Sequence, residues 1–134
     1  MRLLVDTHCW LWYLLAPEKL NADTQALLRS DEHEILLSAS SVWEIVIKHA
    51  LGKLRLPLPP ATYVPERMKA LGHASVAIEQ RHVLHLAQLP AHHRDPFDRI
   101  LVAQAQLDDL RLVTADQQLT AYAVDLVWAG TGAR

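Results

Sequence analysis

The chain has 134 residues, 51% hydrophobic and 21% charged, which is enough apolar material for one core and excludes wholesale disorder. Its single cysteine excludes an intramolecular disulfide and any multi-cysteine zinc site, and suits a reducing compartment. A formal charge of −2 excludes a globally basic nucleic-acid binder, so any reading toward RNA has to come from a local site.

Leu3 to Val5 reads as a short buried strand ending at Asp6, and Thr7 to Leu15 as a helix stopped by Pro17. Within it, the apolar run from Cys9 to Ala16 is far too short to span a membrane, and a soluble cytoplasmic protein is expected. Trp10, Leu11, Trp12 and Tyr13 leave this helix without a fully polar face, so it is either deeply buried or meets another chain. Asn21 to Ser30 follows as a helix, Glu34 to Ser38 as a strand, and Ser41 to Ala50 as a very apolar helix with Gly52 beyond its end. Prolines 57, 59 and 60 make an irregular connection into a helix over Thr62 to Leu71. A strand near Ser75 to Ile78 and a helix over Glu79 to Leu86 come next, then a polar loop from Pro90 to Pro96. Phe97 to Leu107 reads as a helix, Arg111 to Thr114 as a strand, Gln117 to Ala123 as a short helix and Asp125 to Trp128 as a last strand. Only terminal residues such as Gly130 to Arg134 are expected to lack fixed structure. Apolar strands alternating with helices predict one α/β domain over residues 1–134, with a parallel sheet of about five strands between two helical layers.

Four carboxylates fall at comparable junctions. Asp6 follows the first strand, Glu44 lies just after the second, Asp98 opens a long helix, and Asp116 follows the Arg111 to Thr114 strand. Taken singly, each has a structural explanation. Asp6 and Asp116 fit N-caps, Ser41 with Glu44 fits a capping box, and Asp95, Pro96 and Asp98 fit a cap, first-turn proline and third-position acid. Lys48, four residues after Glu44, also fits a helical surface ion pair.

Taken together they point elsewhere, because open parallel sheets bind ligands beyond the carboxyl ends of their strands. Carboxylates about 4 Å apart repel by about 4 kcal/mol per pair at an effective dielectric of about 20, so convergence calls for protonation or a cation. Oxygen donors favour Mg²⁺ or Mn²⁺, hard ions that also bind phosphate oxygens and support phosphodiester hydrolysis. Lys48, His49, Lys53 and Arg55 after the second junction, and His92, His93, Arg94 and Arg99 around the third, are candidates for holding phosphates; otherwise each is a solvated surface charge. His82 and His85 have a helical metal-ligand spacing but no third ligand, and are read as structural.

The segments LLVDTHCWLW, SASSVWEIVIKHALGKLRLP, HHRDPFDRILVAQA and LRLVTAD resemble, in the correct order, the signature blocks of PIN domains of the VapC-like toxin group. The resemblance covers essentially the whole chain. It implies a three-layer α/β/α fold in which Asp6, Glu44, Asp98 and Asp116 form a metal-binding catalytic quartet, with Thr7 and Thr114 as polar support. It also implies an Mg²⁺- or Mn²⁺-dependent ribonuclease that cleaves RNA, forms a homodimer and is restrained by a small cognate antitoxin. Asp95 is read as a helix cap beside that quartet. A housekeeping RNA-processing nuclease with the same site, and a non-catalytic RNA-binding or assembly scaffold of the same fold, are the alternatives. A haloacid dehalogenase-like phosphatase also opens with a strand ending in aspartate but needs a second aspartate two residues later, where this chain has His8.

Overall fold

The structure is a computed structural model that describes residues 1–132. Five strands, β1 (Arg2–Val5), β2 (Glu34–Ser38), β3 (Ala74–Val76), β4 (Arg111–Thr114) and β5 (Leu126–Trp128), form one sheet in the order β3-β2-β1-β4-β5. Every pairing is parallel, with Leu4 beside Leu36 on one side and Val5 beside Val113 on the other. Between the strands run α1 (Thr7–Leu15), α2 (Ala22–Arg29), α3 (Ala39–Ala50), α4 (Pro60–Leu71), α5 (Gln80–His85) and α6 (Pro96–Leu107).

The apolar strand runs are split between two cores by the two-residue alternation of a pleated strand. Leu3, Val5, Ile35, Leu37 and Val113 face one layer, where Trp10, Leu28, Ile45 and Val64 supply the helical side. Leu4, Leu36 and Leu112 face the other, against Leu101, Val102 and Ala105 of α6. This is the expected three-layer α/β/α arrangement. No helix among the described residues is long and apolar enough to cross a membrane.

The structure decides one expectation that was left open and changes two. Trp10 is fully buried and its indole N–H donates to His73 Nδ1 at 3.0 Å, so it belongs to the core and offers nothing to a second chain. The helix expected from Ser41 starts at Ala39, because Ser38 ends β2 and at once caps α3 by accepting from the Ser40 amide at 3.0 Å. The capping box expected of Ser41 and Glu44 therefore does not form, and Glu44 sits a turn further into the helix. The third concerns the C-terminal end, where Gly130 bridges Leu20 and the Gly132 carbonyl accepts from Trp128 Nε1. Ala133 and Arg134, the rest of the stretch expected to lack fixed structure, lie outside the described residues.

Candidate active site

The carboxyl ends of β1 and β4, together with the second turn of α3 and the first turn of α6, bring acids from four separate parts of the chain to one place. Asp6 leaves β1 as the N-cap of α1. Its Oδ1 accepts from the Cys9 amide at 2.7 Å, and its Oδ2 accepts from the Thr114 hydroxyl at the end of β4. The Thr114 oxygen in turn accepts from the Asp116 amide at 3.0 Å, so one hydroxyl ties the two acidic junctions together. Asp116 caps the short 3₁₀ turn Gln117–Ala121 through its Oδ1, which accepts from the Gln118 amide at 2.9 Å.

Helix α3 buries Ile45 as its hydropathy suggests but otherwise departs from it. Ser40, Ser41 and Glu44 are buried while Trp43 is 58% exposed and Val46 is also exposed. The small serines let the helix approach its neighbours and find partners there: Ser41 accepts from the Thr7 hydroxyl at 2.9 Å, and Ser40 donates to the Phe97 carbonyl at 3.0 Å. Glu44 is thereby carried inward and is 1% exposed. Lys48 reaches its Oε2 at 2.6 Å from the helix's next turn, but Oε1 is buried with no hydrogen-bond partner. The i, i+4 pair expected at the surface is thus half a buried site. A carboxylate oxygen left this way is costly unless something absent from the protein's own atoms completes it.

Asp98 is the electrostatic centre. Asp95 caps α6 by accepting from the Phe97 and Asp98 amides at 2.9 and 3.4 Å, which sets Asp98 in the first turn of the helix. Burial pushes the Asp98 carboxyl up to about 8, and the negative charges of Asp95, Asp6, Glu44 and Asp116 all add to that rise. All four other acids therefore act on this one group. Asp6 is also raised, by burial above all, despite the hydrogen bonds from Thr114 and Cys9 that oppose it.

His93, which the sequence grouped with the phosphate-holding candidates, instead faces the acids. Its Nε2 lies 2.8 Å from Asp116 Oδ2 and 3.2 Å from Asp98 Oδ2. The three residues offer ligand atoms within 4.8 Å of one another. Nothing in residue spacing marks His93 out from His92, which packs edge-on against Tyr122 at the surface.

Beside the acids lie two cavities that share His8. One, about 320 Å³, is lined by Asp6, His8, Trp12, Ala115, Asp116 and Gln117. The other, about 300 Å³, is lined by Thr7, His8, Lys48 and Lys53 among others. A larger hollow of about 620 Å³ by Tyr13, Arg29, Tyr63 and Arg67 has no carboxylate on its wall, so size alone does not locate the chemistry. Of the other basic candidates, Arg55 and Arg94 are exposed, whereas Arg99 turns away from the acids to donate to the Leu86 and Leu89 carbonyls at 3.2 and 3.4 Å.

Comparison with known proteins agrees with this architecture. The family model for the PIN domain matches residues 3–125. Ribonuclease VapC16 of Mycobacterium tuberculosis (strain ATCC 25618 / H37Rv) is 42% identical over 71 residues, which are 53% of this chain and 50% of that protein. The match thus spans about half the length of this curated relative. Among solved structures, VapBC2 from Rickettsia felis bound to a DNA fragment from their promoter superposes with a TM-score of 0.69 at 12% identity, covering 96% of this chain and 99% of that one. FitAcB from Neisseria gonorrhoeae gives a TM-score of 0.64 at 23% identity, with 92% and 95% covered. At these identities the structural matches establish the fold.

Proposed function

Because this chain belongs to the PIN domain family, we propose that it is a divalent-metal-dependent ribonuclease, a single domain over residues 1–134, that acts in the cytoplasm as the toxin of a toxin–antitoxin pair. The observation that carries the metal is the orphaned, buried Glu44 Oε1 beside an Asp98 carboxyl pushed up to about 8 by its acidic neighbours. Both call for positive charge at one point, and an all-oxygen donor set of Asp6, Glu44, Asp98 and Asp116 fits Mg²⁺ or Mn²⁺. A divalent ion held by these carboxylates would supply Lewis-acid activation of a phosphoryl oxygen and of a bound water.

The chain's own residues do the rest. Thr114 fixes the Asp6 carboxylate through its hydroxyl and the Asp116 backbone through its oxygen, and Thr7 anchors α1 to α3 through Ser41. Lys48 and Lys53 line the cavity that shares His8 with the acidic one, which supports them as contacts to an RNA backbone, and the exposed Arg55 and Arg94 are further candidates. Arg99 is left out of this assignment, since its guanidinium already serves two carbonyls. The name of the similar ribonuclease, and a toxin–antitoxin complex from Klebsiella pneumoniae among the structural matches, support a small antitoxin as the partner.

Incubating purified protein with total cellular RNA, in chelator and then in Mg²⁺ or Mn²⁺, and mapping the new ends tests the reading. New ends that need the metal and disappear in Asp6→Asn are expected. RNA left intact under all conditions would leave the scaffold reading in its place.

A further inference from the structure

The imidazole of His93 is held at three points. Its backbone amide donates to the Tyr122 hydroxyl at 3.0 Å, its Nδ1 accepts from the Asp95 amide at 3.0 Å, and its Nε2 faces Asp116 Oδ2 at 2.8 Å and Asp98 Oδ2 at 3.2 Å. The second contact settles the tautomer. A ring nitrogen that accepts from an amide carries no proton, so the proton of the neutral ring is on Nε2, which points at the two carboxylates as a donor. A nitrogen that ligates a metal needs a free lone pair, and this Nε2 has none. Turning the ring to free one would strip the Asp95 amide of its acceptor.

We propose that His93 is a positioning residue for metal binding: its Nε2–H orients the Asp98 and Asp116 carboxylates as ligands without itself touching the ion. Asp116 then has one donor on each oxygen, the Gln118 amide on Oδ1 and His93 on Oδ2, which fixes the carboxylate plane and leaves further lone pairs for a cation. The inference rests on the metal-dependent reading above.

Two substitutions separate the ring's two duties. His93→Asn keeps an acceptor near Nδ1 for the Asp95 amide but is too short to reach the carboxylates; His93→Gln keeps a donor near Nε2. Mn²⁺ binding to the full chain is read by titration calorimetry and by electron paramagnetic resonance, with thermal unfolding in chelator as the folding control. Wild-type protein is expected to bind Mn²⁺. His93→Asn should bind it about tenfold to a hundredfold more weakly with its unfolding midpoint in chelator little changed, and His93→Gln should recover most of that loss. RNA cleavage by His93→Asn should rise toward the wild-type rate as Mn²⁺ is raised. Equal affinity in His93→Asn and wild type, a His93→Gln as weak as His93→Asn, or a ¹⁴N coupling from a directly bound imidazole would each overturn the proposal. Wild-type protein that binds no Mn²⁺ would bring down the metal-dependent reading itself, and with it this inference.

Discussion

Asp6 does two things at once: it caps α1 through the Cys9 amide, and it places a buried negative charge beside Asp98. Asp6→Asn separates them, since asparagine caps as well as aspartate and removes the charge. Cleavage should fall by orders of magnitude while the unfolding midpoint in chelator stays level or rises, because the ionised form that burial penalises is gone. A mutant that is folded and fully active would refute the assignment. Asp98 carries a pH signature. A carboxyl raised to about 8 in the folded chain, against 3.8 unfolded, favours the protonated folded form, so its stabilising contribution is complete below the unfolded value and is lost as pH climbs through 8. Between pH 6.5 and 8, above the range where His73, held low by burial, takes up its proton, stability in chelator should drop by as much as about 1.4 kcal/mol per pH unit for one proton. Urea titrations across that window measure the slope, and Asp98→Asn should flatten it.

At the level of elements, α6 tests whether Asp95 is more than a cap. Asp95→Ala should cost about 1 kcal/mol, by loss of the acceptor for the Phe97 and Asp98 amides, and Asp95→Asn should restore it. If capping is its whole role, Asp95→Asn cleaves RNA like wild type; a loss of cleavage with stability intact would add it to the site. The strand at Glu34 to Ser38, the strand at Arg111 to Thr114 and the helix at Thr7 to Leu15 were legible because apolar runs, Pro17 and the Asp6 cap all state the same boundaries. Helix α3 was only half legible. Periodicity locates it, but hydropathy puts Trp43 and Val46 inside and the serines outside, and the structure does the reverse, because Ser40, Ser41 and Glu44 have partners on other elements that no local pattern contains. The four acids were found through their junctions. His93 was not singled out, since its place among them depends on the loop before α6 bringing it to Asp116, 23 residues later in the chain.

For the whole molecule, the apolar side chains left in solvent include Trp43 and Val46 on α3, Val83 and Leu84 on α5, and Leu15 on the first helix, whose tryptophans suggested a second chain. Light scattering of the isolated protein should still give the mass of a dimer; a monomer at micromolar concentration would leave the antitoxin as the only protein partner. Expression without the antitoxin should arrest growth and co-expression should relieve it, whereas unimpaired growth at high soluble yield would favour a housekeeping or scaffold role. Sheet order also bears on when the acidic site can form. The strand that ends in Asp6 is made first yet lies centrally, and its partner β4, with the Thr114 that grips Asp6, lies 108 residues later in the chain. Long-range parallel pairing forms late, after the intervening helices have something to pack on. On the proposed function, a fragment that stops before β4 therefore has Asp6 without the Thr114 hydroxyl and without Asp116, and is expected to cut no RNA.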